Sequence, residues 1–439
     1  MSSNTKLAEH GVQEADIIAL ARSGEEFTIL AVENKEDNKT DKAQNSIPGL
    51  RKISLGPGPF PELEKSYGAR SLQHIKAQPD GSNPNVHVVV SVASGTELAK
   101  PFFSNLLSAV LDSLGLVIDV DYKVHYTRSA NTITELSSNL FFPTANQGLA
   151  QRIILLSGDG GVIDIINELF SKARSATYVA PEIVLIPTGT GNALAHSSGL
   201  TKDNTHGLSS LARGTPKSLP LFKASFSPGS RLLTEEGTSE EELSLKDGKG
   251  NPVVYGAVVT SWGIHAGLVA DSDTAEYRKF GAQRFGMAAK AALFPEDGGL
   301  PHIYRGKVST LRGNGQWEAL DRTEHAYVLS TLVSSLEKTF TISPASKPLS
   351  GELRLVHFGP LPGDEVMRLM GLAYQQGKHV EDGNVSYEAI EGLRIEFDED
   401  EGKWRRVCVD GKIIRVEKGG WVEVRKEKAG ILDLIALDN

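Results

Sequence analysis

A single cysteine, Cys408, stands in a chain of 439 residues. That excludes an intrachain disulfide and a cysteine-cluster metal site, and it fits a reducing compartment such as the cytosol. No apolar run approaches the roughly 18–20 residues that a membrane span needs. The opening Met1-Ser2-Ser3-Asn4-Thr5-Lys6 lacks the apolar centre of a signal peptide, and the last residues carry no lipidation motif. Positive charge is not in excess. The net charge is -9 and the pI about 5.7, so a nucleic-acid partner, which asks for a basic face, is not expected. A cytoplasmic protein is expected, with any membrane contact peripheral.

A hydrophobic content of 40% and a charged content of 23% are ordinary for a globular protein. The length suits two or three domains. Residues 1–82 read as an N-terminal extension. Asp16 to Glu33 predicts two strands around Ser23-Gly24-Glu25, followed by a charged stretch from Asn34 to Asn45 and a linker, Gln78 to Asn85. Over 83–215, strand, turn and helix alternate. The strands are Val86–Val92, Tyr122–Thr127, Ile153–Leu156 and Ile183–Ile186. The helices are a pattern carrying Phe102, Phe103, Leu106, Leu107 and Val110, then Thr132–Leu140, Val162–Phe170 and one from Ala193 onward. This predicts an α/β domain with a parallel sheet. Over 216–430, short alternating segments predict a β-rich sandwich, interrupted by helices at Ala275–Leu293 and Gly363–Gln376. The acidic insert from Thr234 to Asn251 reads as a mobile, solvated surface loop.

Two glycine loops about thirty residues apart carry the chemistry. Ser157-Gly158-Asp159-Gly160-Gly161 follows one apolar strand, and Pro187-Thr188-Gly189-Thr190-Gly191-Asn192 follows another. A third small-residue turn, Ala93-Ser94-Gly95-Thr96, follows the first strand. Glycine lets a ligand approach bare N–H groups, and the helix that follows aims its positive end at the same place. Ligands of parallel sheets bind beyond the carboxyl ends of the strands, where all three turns are expected. The pattern suits a polyphosphate, with Asp159 in its middle.

The two loops resemble the catalytic core of the lipid kinases that phosphorylate diacylglycerol, sphingosine and ceramide. Asp164 and Asn167 follow the first loop at that family's spacing, and Pro187 to Asn192 matches its second signature. Further matches follow in the family's order. Gly267-Leu268-Val269-Ala270-Asp271-Ser272-Asp273 is similar to its Gly-x-x-Ala-Asp-x-Asp. Glu276-Tyr277-Arg278 with Arg284-Phe285, Tyr304-Arg305-Gly306 and Val409-Asp410-Gly411 resemble the sphingosine (sphingoid long-chain base) kinase branch. The likeness spans about residues 83 to 425.

The resemblance implies a three-layer α/β nucleotide-binding domain, like that of the ATP-NAD kinases, then a β-sandwich lipid-binding domain. It implies an ATP- and Mg2+-dependent kinase of sphingolipid metabolism that phosphorylates the primary hydroxyl of a sphingoid base. Asp159 would be the catalytic base or hydroxyl-orienting group. Ser94, Gly95, Thr96, Thr127, Gly158, Gly160, Gly161, Gly189, Thr190, Gly191, Asn192, Arg278, Arg284, Asp410 and Gly411 would bind ATP. Asp273 would hold the lipid head, and Asp410 the Mg2+. Leu268, Val269, Phe285, Met287 and Leu293 are candidates for the lipid pocket or for ordinary core. His265 and His196 lie near motifs and read as structural. A homodimer is left open.

Three departures bear on this. Lys412 follows Gly411 where the family has glutamate, Asp164 replaces a glutamate, and Val92-Ala93-Ser94-Gly95 lacks the usual Asn-Pro. Two other readings therefore stand beside the first: a diacylglycerol or ceramide kinase, and a catalytically degenerate homologue that binds lipid or nucleotide without turnover.

Overall fold

β-Branched runs without a polar face fold where both faces of a sheet are covered, and the central strands of this chain obey that rule. The computed structural model describes residues 11–33, 47–71, 85–95, 97–281, 283–296 and 298–438. They form two units. One takes the residues up to Thr190, Ser198–Ser218 and those from Ile431 on; the other takes Gly191–Ser197 and Leu219–Gly430.

In the first unit, β1 (Ile17–Ser23) and β2 (Glu26–Glu33) make the expected hairpin, and β3 (Gly49–Pro57) adds a third antiparallel strand. Next come β4 (Val86–Val90), β5 (Lys123–Tyr126), β6 (Arg152–Ser157), β7 (Glu182–Pro187) and β8 (Thr215–Ser218). The order β5-β4-β6-β7 is parallel throughout. Val88, Val90, Ile154, Leu156, Val184 and Ile186 share one core with the helical stretch 99–113 and the helix Leu208–Arg213. The opposite face meets the helical stretch 132–146, where His87 of β4 packs against Phe141 at 5.6 Å, and the Asp159–Phe170 helix. These are the three layers expected. At the amino ends of β6 and β7, Arg152 is 5% exposed. Its Nε donates to Glu182 at 2.8 Å, and its Nη1 donates to the Ser71 carbonyl and hydroxyl at 2.6 and 2.8 Å.

Two differences from the expected division stand out. The N-terminal residues are not an appendage: Ile18, Ala19, Leu30 and Val32 share the core of the parallel sheet. The last strand, Asp433–Ala436, returns to that sheet, parallel to β7 and antiparallel to β8. The expected stretches 34–45 and 78–84 lie outside the described residues.

The second unit holds two antiparallel sheets. One runs β11 (Ser239–Glu242), β10 (Arg231–Thr234), β22 (Lys412–Arg415), β21 (Arg406–Val409), β13 (Val259–Gly263), β17 (Tyr327–Thr331), β18 (Leu353–Phe358) and β19 (Ser386–Ile390). The other runs β12 (Val253–Gly256), β9 (Leu221–Phe226), β23 (Trp421–Glu427), β20 (Gly392–Phe397), β14 (Tyr304–Leu311) and β15 (Trp317–Ala319), with β16 (Glu324–His325) beside β14. Trp262 of β13 meets Phe397 and Tyr304 of the facing sheet edge-on at 5.3 and 5.7 Å. That contact makes a sandwich core.

The insert expected to be a mobile loop is instead a hairpin edge, β10 against β11. The helix expected over Ala275–Leu293 is two, Ala275–Arg278 and Gln283–Leu293, separated near Gly281 at φ +54°. A further helix, Ile264–Ser272, carries the Gly-x-x-Ala-Asp motif. No helix among the described residues is long and apolar enough to cross a membrane.

Candidate functional site

The chain leaves β4 to form β5 on one side and β6 on the other, which makes a switch point at the carboxyl edge of the sheet. The turn after β4 and the loop after β6 flank it. Gly95, at φ +54°, lies against the second glycine loop. A Cβ there would sit 2.7 Å from the Gly189 backbone and 2.8 Å from the Thr190 nitrogen. The Thr188 amide donates to the Ser157 carbonyl at 3.1 Å. Three segments distant in sequence thus meet through backbone alone.

Within the first loop, the helix begins at Asp159 with Gly158 as its N-cap. The sequence pattern alone puts its start at Val162. Asp159 is therefore the first helical residue and not the cap, and a carboxylate there suits the helix dipole. Gly161 packs against the strand end, where a Cβ would approach Ser157 Oγ to 2.6 Å. A Cβ at Gly160 would meet nothing within 4 Å, and this residue is exposed. Gly161 is thus a packing glycine, while Gly160 presents its backbone outward. Thr127 is buried; its Oγ1 accepts the Val92 amide at 3.0 Å and so holds the start of the first turn. Thr96 lies outside the described residues.

Gly95→Ala and Gly160→Ala are predicted to differ in sign. The first puts a methyl into backbone at a positive φ, and a loss of about 3 kcal/mol is expected. The second sits in an open helical turn, where alanine is worth up to about 1 kcal/mol more than glycine. Urea unfolding of both variants checks this.

In the second unit, Asn192 adopts φ +54° and the helix Ala193–Ser198 follows it. Ser197 Oγ, on that helix, donates to the Ser335 carbonyl at 3.1 Å and accepts its amide at 3.0 Å. Arg278 and Arg284, which one continuous helix would point apart, converge because the helix breaks between them. Arg278 grips Asp273 with Nε and Nη2, both at 3.0 Å, and Arg284 Nη1 adds a contact at 3.2 Å. Burial alone would raise the Asp273 pKa, but the hydrogen bonds and charges of Arg278 and Arg284 hold it below the usual carboxylate value. Asp271 of the same motif takes Arg406 Nη1 at 2.7 Å, a partner that no local pattern announces.

Asp410 does not fit the metal-ligand role expected for it. Asp410-Gly411, at φ +47° and +88°, is the two-residue turn between β21 and β22. Its Oδ2 accepts the amides of Ala257 at 2.6 Å and Val258 at 3.1 Å, and its Oδ1 accepts those of Val258 at 3.2 Å and Val259 at 2.5 Å. Each oxygen already takes two N–H groups, which occupies the lone pairs that a cation would need. No group of three or more metal-ligating side chains occurs among the described residues.

His265 is half-buried; its Nδ1 lies 2.7 Å from Ser261 Oγ, and desolvation lowers its pKa to about 4. The apolar candidates separate. Leu293 is core, Val269 packs on the Ala266–Cys408–Ile413 cluster, and Met287 is exposed.

Residues 85–224 match the diacylglycerol kinase catalytic domain. Sphingosine kinase 1 of Arabidopsis thaliana is 20% identical over 368 residues, which cover 76% of this chain and 68% of that protein. Two solved structures of a protein assigned as a diacylglycerol kinase from Bacillus anthracis superpose with TM-scores of 0.51 and 0.52, at 14% and 13% identity. Each covers 80% of this chain and 96% of the bacterial one. At such identities the structural likeness concerns the fold alone.

Proposed function

We propose that this chain, a lipid kinase with a diacylglycerol kinase catalytic domain, transfers the γ-phosphate of ATP to the primary hydroxyl of a sphingoid long-chain base. The observation that carries the reading is the meeting of the Gly95 turn with Gly189–Thr190 beside a helix whose first residue is Asp159. Phosphoryl transfer asks for positioned N–H groups and little covalent chemistry from the protein. The outward backbone at Gly160 and the close-packed glycine turns suit phosphate oxygens. Asp159 would accept or orient the hydroxyl proton as the acceptor oxygen attacks phosphorus and the bond to ADP breaks. Arg278 and Arg284 would contact phosphate, and Asp273, already held by both, would orient the acceptor's polar head.

The sphingoid choice rests on the Tyr304-Arg305-Gly306 and Arg284-Phe285 matches and on the plant relative. The test is transfer of radiolabelled γ-phosphate to sphinganine, phytosphingosine, diacylglycerol and ceramide. Sphinganine or phytosphingosine is expected to be preferred at least about tenfold, the scale of discrimination available to a site that pairs with an acceptor's polar groups. A preference for diacylglycerol would move the chain to the sibling activity. A folded chain that labels no lipid would favour a binding-only homologue.

A further inference from the structure

Glu235 and Glu236 both adopt left-handed backbone, at φ +48° and +62°, a conformation that side-chain-bearing residues seldom hold twice in succession. Several bonds keep it. The Thr238 amide and hydroxyl both donate to the Glu235 carbonyl, at 3.1 and 2.6 Å, and Ser239 Oγ donates to Glu235 Oε2 at 2.7 Å. The strands on either side are anchored too. β10 pairs with β22, and Glu240 of β11 takes Arg415 through both oxygens at 2.6 and 2.8 Å. A merely solvated acidic loop needs none of this.

The strained turn puts the Glu236 carboxylate in one particular place. Its Oε1 accepts the amide of Ala275 at 2.7 Å, 39 residues along the chain. Ala275 opens the short helix that carries Arg278. Two amides after it, the Tyr277 N–H is taken by Thr274 Oγ1 at 3.2 Å. Arg278 is held in its charged form chiefly by its bond to Asp273, and the nearby Glu236 carboxylate adds to that. Asp273, Arg278 and Arg284 form one ion-paired cluster, so whatever fixes this turn fixes the cluster.

We propose that the β10–β11 hairpin is a strap, and that Glu236 is a positioning residue which holds the 273–278 turn, and with it the Arg278 that grips Asp273, so that Asp273 meets the acceptor lipid in a set geometry. This rests on the acceptor role proposed for Asp273. Glu236 itself need not touch substrate.

Two measurements on the full chain test it: hydrogen exchange across 273–281, and KM and kcat for the acceptor and for ATP. In Glu236→Ala, exchange in that segment is expected to speed up about tenfold. The acceptor KM should rise about fivefold, as befits loss of one helix-capping contact, while kcat stays within about twofold. Glu236→Gln keeps an oxygen acceptor and is expected to restore both. Unchanged exchange in Glu236→Ala overturns the strap. Faster exchange with an unaltered acceptor KM overturns the positioning role and leaves only a local cap. A wild-type chain that phosphorylates no lipid overturns the function reading beneath the proposal; an active chain with an unaltered acceptor KM overturns the proposal alone.

Discussion

Asp159→Asn is expected to lower kcat about a thousandfold, the scale of losing a general base, with the KM for ATP within about threefold of wild type. Asparagine keeps the shape of the side chain but cannot take a proton. Asp159 opens its helix but is not the cap, since Gly158 fills that position. The loss of charge at the helix start costs at most about 1 kcal/mol, and urea unfolding of the variant checks that the domain stays folded. Single-turnover transfer from ATP separates the chemical step from binding. A kcat within threefold of wild type would remove the base role and leave Asp159 as a helix-terminus charge.

Asp410→Asn is expected to act on stability instead of on metal use. The amide replaces one acceptor oxygen with a donor that faces the backbone N–H groups of 257–259. Buried donors left unpaired cost about 1–3 kcal/mol each, so a loss of about 3 kcal/mol follows. Asparagine tolerates the left-handed backbone that Asp410 adopts, so the turn itself is not strained by the change. Urea unfolding reads the stability. Activity titrated against Mg2+ is expected to keep its midpoint within about twofold, because the carboxylate offers a cation no free lone pair. A variant as stable as wild type that needs about tenfold more Mg2+ would restore the ligand role implied by the resemblance.

These two residues also mark how far the sequence can be read. The strands β4, β6 and β7 are legible to within about two residues at each end, because β-branched runs that end at glycine turns have few other uses. Asp159 stands out for the same reason. Its exact place does not, since Asp, Gly and Gly have low helix propensity and the pattern pushes the start to Val162. Asp410 looks like a metal ligand because its motif names it; its true partners, three consecutive amides, lie about 150 residues away and leave no trace in local spacing. The helix break at Gly281 is hidden because Ala275–Leu293 is helix-like on average. The break is what lets Arg278 and Arg284 reach one carboxylate. For the acidic insert only composition speaks, and composition cannot tell a solvated loop from an edge hairpin tied down by Arg415.

By itself the sequence determined the class of both folds, the alternation of strand, turn and helix, and the glycine turns at one sheet edge. Those properties depend on side-chain periodicity and glycine freedom, which act over a few residues. Only the tertiary structure decided that Asp433–Ala436 completes the first sheet, that Gly95 abuts Gly189, that Asp410 clasps 257–259 and that Glu236 reaches Ala275. Each of those joins groups far apart in the chain, with at least one partner a backbone group that every residue shares. Residue type supplies the carboxylate, but which amide it meets is settled by packing.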